Sequence, residues 1–208
     1  LEQRVQDLAD TVGAAALLDQ WLAHQPADRF ATASLINNAA VLPRIAPLGL
    51  SNSAELATAM RVGLEAPMQL TAAFLRGTGH WQPASSQRCV RKVLNISSGA
   101  GRRASASQAI YSATKAGMDH FTRCLAVEEG LNPQGARVCS LAPGVVDTDM
   151  QTQLRAADPL EFPERDRFVE LKKSGQLTSA VEAAARVLAW LDRPDYGADP
   201  VGDVRDVP

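Results

Sequence analysis

Ser97-Ser98-Gly99-Ala100-Gly101-Arg102-Arg103-Ala104-Ser105-Ala106-Ser107-Gln108-Ala109-Ile110-Tyr111-Ser112-Ala113-Thr114-Lys115 is the stretch from which the fold is read. The apolar run Lys92 to Ile96 leads into it and has the character of a strand buried in a parallel sheet. A helical pattern starts near Ile110 and runs to Gly130, a residue type that commonly ends helices. Tyr111 and Lys115 are four apart, so they share one face of the first turn. Ser98 stands thirteen residues before Tyr111, at the end of the strand. In an open parallel sheet, ligands sit where strands end and the following helices begin. The three polar groups are therefore expected in one crevice.

That grouping suits proton exchange with an oxygen. A phenol has an ordinary pKa of about 10 and is a poor acid or base at pH 7. An ammonium one turn away is expected to lower that value and to bring Tyr111 within reach of general acid–base work. Ser98 can hold the same oxygen by a hydrogen bond. Hydride has no source among side chains and would come from a cofactor.

The 208 residues fit one domain, 1–208, with material for a sizeable core. Lys and Arg number 21 and Asp and Glu 23, a net charge of −2, which gives no footprint for nucleic acid or an anionic membrane. No stretch is long and apolar enough to span a bilayer, and no signal peptide opens the chain. Cys89, Cys124 and Cys139 lack paired spacing and point to a reducing compartment. His24, His80 and His120 are scattered and make no metal-ligand pattern. The expectation is a cytoplasmic protein without metal, acting on a small molecule.

With the placed serine and Tyr-x-x-x-Lys on the page, the chain resembles the short-chain dehydrogenase/reductase family over nearly its whole length. The resemblance implies an α/β fold, a doubly wound Rossmann-like parallel sheet with helices on both faces. It implies carbonyl reduction with a nicotinamide cofactor, Tyr111 as acid, Ser98 on the carbonyl oxygen, and Lys115 acidifying Tyr111 and binding ribose. Homodimers or homotetramers built through the two long helices are implied as well.

Arg4 to Leu8 reads as a short strand. The resemblance puts Asp7, with Leu8, against the adenine, while Asp10 fits a helix cap. Leu17, Leu18, Trp21 and Leu22 make one helical stripe that stops before Pro26. Ser34 to Ile36 is the next strand. Asn37-Asn38-Ala39-Ala40 after it resembles the family's Asn-Asn-Ala-Gly, with Asn37 and Ala39 beside the cofactor ribose and Ala40 in place of glycine.

A helix is predicted over Asn52–Leu75, opened by a capping box of Asn52 and Glu55. Gly63 stands where the family carries an asparagine of the catalytic set. Glycine inside a helix costs about 1 kcal/mol against alanine, so local propensity does not explain it. Pro67 cannot donate to the Gly63 carbonyl. In the family that carbonyl holds a water linking the lysine to solvent, so the relay is expected to survive, slowed, and Gly63→Asn to raise kcat.

Gly77 to Arg91 reads as a loop, with Trp81 and Pro83 covering the sheet edge. Gly99-Ala100-Gly101-Arg102-Arg103-Ala104 satisfies a loose Gly-x-Gly-x-x-Ala pattern. No helix begins there, so it is not read as the phosphate loop, and Arg102 and Arg103 are read as solvated or rim charges. Ala136 to Leu141 is a further buried strand. Pro143-Gly144 follows it, and the resemblance gives Val146 and Thr148 to the nicotinamide. Residues 151–177 correspond to the family's substrate lid, Thr178 or Ser179 caps a last helix through Leu191, and Pro200 to Asp206 forms a final strand.

The stretches Asp147 to Gln151 and Glu170 to Leu177 resemble the sepiapterin reductase branch and its bacterial benzil-reductase-like relatives. That branch implies NADP, with NAD as the other candidate. It also implies a pterin-like or aromatic dicarbonyl substrate and an anchoring carboxylate at Asp203. The family's Thr-Gly-x-x-x-Gly-x-Gly loop occurs nowhere in the sequence, so the expectation is a domain without its first βαβ unit. The alternative reading is a shortened, non-catalytic binding or assembly module.

Overall fold

Three connections in this chain join parallel strands, and each crosses back through at least one helix, as parallel pairing requires. The computed structural model describes residues 1–82 and 88–206. One sheet carries β1 (Thr32–Asn37), β2 (Val90–Ile96), β3 (Arg137–Ala142) and β4 (Val201–Asp203), side by side in that order and all parallel. The doubly wound α/β architecture expected from the sequence is the one observed.

Alternation along the strands divides the core into two layers. Val93 and Val138 point to one face and pack with Phe74 of α3 (Ala66–Thr78) and Leu125 of α4 (Ala109–Gly130). Leu94, Cys139 and Leu141 point to the other and pack with Val187 and Leu191 of α7 (Ala180–Leu191). Full burial of each large apolar side chain contributes roughly 1.5–3 kcal/mol. Gly130 is the last residue of α4, as expected, but it is not a left-handed cap: Leu131 caps the helix in a right-handed conformation, and Gly130 is not among the positive-φ glycines.

A polar seam crosses the carboxyl end of the sheet. Asn37, Asn95 and Ser140 lie in one line of register and all are buried. Asn37 Nδ2 donates to Asn95 Oδ1 (2.8 Å) and Thr71 Oγ1 (3.2 Å), and Asn95 Nδ2 to Thr122 Oγ1 (2.9 Å). The seam thus ties β1 and β2 to α3 and α4 through satisfied polar groups, the condition under which such groups belong in a core.

Several local expectations need correction. Arg4–Leu8 forms no strand; it has no ladder partner, and Val5 is fully exposed. Asp10 caps α1 (Thr11–Ala23) by accepting from the Gly13 N–H at 3.0 Å. The helix predicted over Asn52–Leu75 is α2 (Ser53–Met60) and α3, joined by a π turn at Arg61–Glu65 in which the Ala66 N–H reaches the Arg61 carbonyl. Pro67 lacks the N–H that a regular ladder needs at this point, and a widened turn absorbs the mismatch. Half of the capping box forms: Asn52 Oδ1 accepts from the Ala54 N–H, while Glu55 accepts from the Arg44 N–H.

The helix also runs on to Thr78, so the loop begins later than expected. Trp81 is buried, stacked on Phe30 and packed with Leu22 and Cys89 beneath α1. Pro83 lies outside the described residues. Beyond β3 come α5 (Asp149–Ala156) and α6 (Arg165–Lys173), with a small core of their own in which Phe162 and Phe168 meet Ile45 and Leu154. No helix among the described residues is long and apolar enough to cross a membrane.

Candidate active site

Ser98 leaves β2 in extended backbone (φ −157°, ψ 152°), and the chain then turns through a short 3-10 turn, Gly99–Gly101. The Ser98 Oγ accepts from the Ala100 N–H at 3.2 Å, and the Ser98 side chain faces the Tyr111 phenol and favours its ionised form. Tyr111 and Lys115 project from the first turns of α4 and are buried; Lys115 is 2% exposed. The Lys115 Nζ donates to the Ile96 carbonyl at 2.6 Å and lies 5.8 Å from the centroid of the Tyr111 ring. The three heads expected to converge therefore do so, at the carboxyl edge of the sheet.

The electrostatics differ from expectation. Burial pushes the Tyr111 phenol above its ordinary value, and the Ser98 hydrogen bond only partly opposes this. Lys115 does not acidify the phenol here: its ammonium is held by a main-chain oxygen. Burial brings Lys115 down to about 8, with the Asp119 carboxylate working in the opposite direction. At neutral pH the phenol keeps its proton, the form from which an acid donates.

The glycines before the helix have a packing role. A Cβ at Gly101 would stand 2.8 Å from the Lys115 carbonyl carbon and 3.0 Å from the Ala116 nitrogen. Gly101 therefore lets the turn lie directly against α4, and no helix N-terminus opens at this turn to face a phosphate. Arg102 is not a solvated charge: its Nε donates to Asp119 Oδ2 at 3.1 Å and its Nη2 to the Gly202 carbonyl at 2.9 Å. Arg103 is exposed at the rim and reaches Glu164 at 3.5 Å.

The other candidates are distributed as follows. Asn37 ends β1, and Ala39 follows it, exposed. Gly144, at φ +81°, turns the chain after β3, and Val146 bridges to Thr178 while Thr148 Oγ1 donates to the Val146 carbonyl at 3.4 Å. These segments leave the same carboxyl edge as Ser98. Asp7 closes a turn onto the Ala9 N–H and Leu8 is half-buried, both ahead of α1. Asp203 ends β4 with both carboxylate oxygens committed to Arg205, at 2.8 and 2.6 Å, which holds its carboxyl below the usual range although burial works against this.

Sequence reading missed Ser97, Asp119 and Ser140. Asp119 is four residues past Lys115 on the same helix face, and that spacing was the available signal. It also missed Ser107, whose φ of +64° is unusual for a residue other than glycine, and whose hydroxyl donates to the Glu161 carbonyl.

A parallel α/β sheet with serine, tyrosine and lysine gathered at its carboxyl edge defines a class of nucleotide-dependent oxidoreductase folds. Residues 7–159 match the family model described as short chain dehydrogenase. The chain is 35% identical over 177 residues to a benzil reductase ((S)-benzoin forming) of Bacillus cereus, covering 85% of this chain and 68% of that one. It is 30% identical over 175 residues to the sepiapterin reductase of Rattus norvegicus, covering 83% and 63%. A solved metagenomic short-chain oxidoreductase in complex with NADP superposes with a TM-score of 0.56 at 31% identity, over 70% of this chain and 59% of that one. The chain belongs to the short-chain dehydrogenase family, and its similarity includes the benzil and sepiapterin reductase branch.

Proposed function

We propose that this chain carries the reacting groups of a carbonyl reductase, which converts a carbonyl to an alcohol or runs the reverse oxidation. The observation that carries the reading is the meeting of the Ser98 hydroxyl, the buried Tyr111 phenol and the Lys115 ammonium within one helical turn and one strand end. A nicotinamide cofactor supplies the hydride when bound. Ser98 holds the substrate oxygen, and Tyr111 gives it a proton as negative charge develops there. Lys115 then restores the proton balance at the phenol.

The residues present fit the nicotinamide–ribose half of such a cofactor. Among the described residues Lys115 makes one hydrogen bond, to Ile96, and an ammonium has three donors, leaving two for ribose hydroxyls. Asn37, Ala39, Val146 and Thr148 leave the same sheet edge and would line that half; Asp7 and Leu8 are the candidates for the adenine. NADP is favoured over NAD because solved relatives to which this chain is similar carry NADP. The substrate class we favour is an aromatic 1,2-dicarbonyl or a pterin with an acyl side chain. Asp203 would serve as an anchor for a pterin only by releasing Arg205.

We further infer a cytoplasmic protein, since its three cysteines are free, and a homodimer or homotetramer. The exposed Val127 of α4 and the exposed Leu131 that caps it support self-association through the long helices. A second reading, a binding module without catalysis, draws on the outer edge of β1, where Ile36 is exposed and, among the described residues, no further strand pairs with β1.

Titration of the purified chain with NADPH and NADH, followed by turnover of benzil and of sepiapterin, separates the two readings. Tyr111→Phe is expected to keep cofactor binding and lose turnover by about 10²–10⁴-fold. Absence of quenching by either dinucleotide, or full turnover by Tyr111→Phe, overturns the catalytic reading.

A further inference from the structure

Three residues outside the proposed reacting set surround one buried carboxylate. Asp119, on α4 one turn beyond Lys115, is 2% exposed. Its Oδ1 accepts from the Ser97 hydroxyl and from the Ser140 hydroxyl, both at 2.6 Å, and its Oδ2 accepts from Arg102 Nε at 3.1 Å. Arg102 is itself fixed by the Gly202 carbonyl at 2.9 Å. One carboxylate therefore joins the end of β2, the middle of β3, the turn after β2, the start of β4 and α4.

A carboxylate buried in this way is a poor device for stability alone. Removing its charge from water costs several kcal/mol, and apolar residues of equal volume often do as well as an ion pair. The geometry suggests another use. Ser97 is the residue before Ser98, and its main-chain N–H donates to the Leu141 carbonyl at 2.8 Å. The Ser97–Asp119 bond thus pins the strand end that projects Ser98 to the helix that projects Tyr111 and Lys115. The charge of Asp119 also lies one turn from an ammonium that burial would otherwise neutralise.

We propose that Asp119 is a positioning residue for the site: it fixes the spacing between Ser98 and the Tyr111–Lys115 turn, and it keeps the buried Lys115 side chain charged. Arg102 tempers this effect, because it shares the same carboxylate. The groups facing this corner are Tyr111 and Asp119 on α4, Arg102 on the turn, the Ile96 carbonyl of β2, Cys139 of β3, and the Asp203–Arg205 pair at β4. Cys139 is pushed up to about 11 by burial and stays neutral through the relevant range. Asp203 is neutralised by its own arginine. The charge on Asp119 and the opposing charge on Arg102 are then the two that decide the state of Lys115.

The inference deepens the proposed site, yet its test reads the lysine itself and stands if the carbonyl-reduction reading fails. The chain contains four lysines, Lys92, Lys115, Lys172 and Lys173, so lysine labelled with 13C at Cε gives few resonances, and Lys115→Arg assigns the buried one. Asp119→Asn is expected to lower the Lys115 titration midpoint by about one pH unit, a tenfold change in the ammonium-to-amine ratio. Arg102→Gln removes the competing cation and is expected to move the midpoint the other way, upward. Opposite shifts are not what loss of packing produces. An unchanged midpoint in Asp119→Asn, or a fall in Arg102→Gln, overturns the proposal. Should Asp119→Asn fail to fold, Arg102→Gln, whose site is partly exposed, decides the matter.

Discussion

Gly101 packs against the main chain of Lys115 so closely that a Cβ at position 101 would stand 2.8 Å from the Lys115 carbonyl carbon. Backbone, unlike the end of a flexible side chain, cannot step aside. Gly99, two residues earlier, has nothing within 4 Å of its Cβ position. Gly101→Ala is therefore expected to destabilise the fold by about 1–3 kcal/mol, as overpacking does. At roughly 2–4 °C per kcal/mol the drop in Tm is easily measured. Gly99→Ala should melt with the parent. Equal effects at both positions would sink the steric account.

Gly63 has a similar explanation, and it reverses an expectation. A Cβ there would meet Thr114 at 3.2 Å from Cβ and 3.3 Å from Oγ1, and that hydroxyl donates to the Tyr111 carbonyl at 2.7 Å. The glycine lets the π turn approach the helix that carries Tyr111. Gly63→Asn, taken from sequence to restore a missing catalytic group and raise kcat, is instead expected to lower Tm and to disturb the Thr114–Tyr111 bond. A rise in kcat without loss of stability sinks the steric account.

The contrast between these two glycines shows what the sequence could convey. Strand, turn and helix around Ser98, Tyr111 and Lys115 were legible because each rests on local pattern: an apolar run, then a four-residue spacing on a helix face. The meeting of Asp119 with Ser97, Ser140 and Arg102 depends on three chain segments and leaves no local trace, so Arg102 was read as a surface charge. The effect of Lys115 on Tyr111 was misjudged for a related reason. Spacing reports that the two groups are neighbours, whereas burial and the Ile96 carbonyl, which decide their charge, come from tertiary packing. Arg4–Leu8 has the composition of a strand but no pairing partner, and composition alone could not reveal that.

Lys115 sets a pH signature in stability. Its folded value of about 8 lies below the ordinary lysine value of 10.5, so between the two the unfolded chain binds the extra proton. Stability contributed by this group therefore rises with pH from about 8 to 10.5, and the burden of a buried ammonium is fully present below that window. The span amounts to roughly 3 kcal/mol at most. Tyr111 and Cys139, both raised by burial, work in the opposite sense as they begin to ionise. The difference between the parent and Lys115→Met in urea unfolding isolates the lysine, since the other groups are common to both. A parent-minus-variant difference that stays flat from pH 8 to 10.5 contradicts the assignment.

Glu161 holds the segment between α5 and α6 from two directions. Its carboxylate takes Arg44 Nη2 at 2.8 and 2.9 Å, from the loop between β1 and α2, and its main-chain carbonyl takes the Ser107 hydroxyl, four residues before Tyr111. Arg44 is about half exposed, so the pair itself is worth under about 1 kcal/mol and should not set global stability. Its effect is local: it ties the segment down beside a cleft of about 390 Å³ lined by Leu42, Ile45 and Ala157. Arg44→Ala is expected to leave Tm within a degree or two of the parent while speeding hydrogen exchange of the Glu161 and Phe162 amides, which donate to the Asp158 carbonyl. The exchanged pair Arg44→Glu with Glu161→Arg should slow that exchange again, because the geometry accepts either polarity. If exchange at these amides ignores both changes, the segment is held by Phe162 and its apolar neighbours alone, and the charged clasp has no part in closing the cleft.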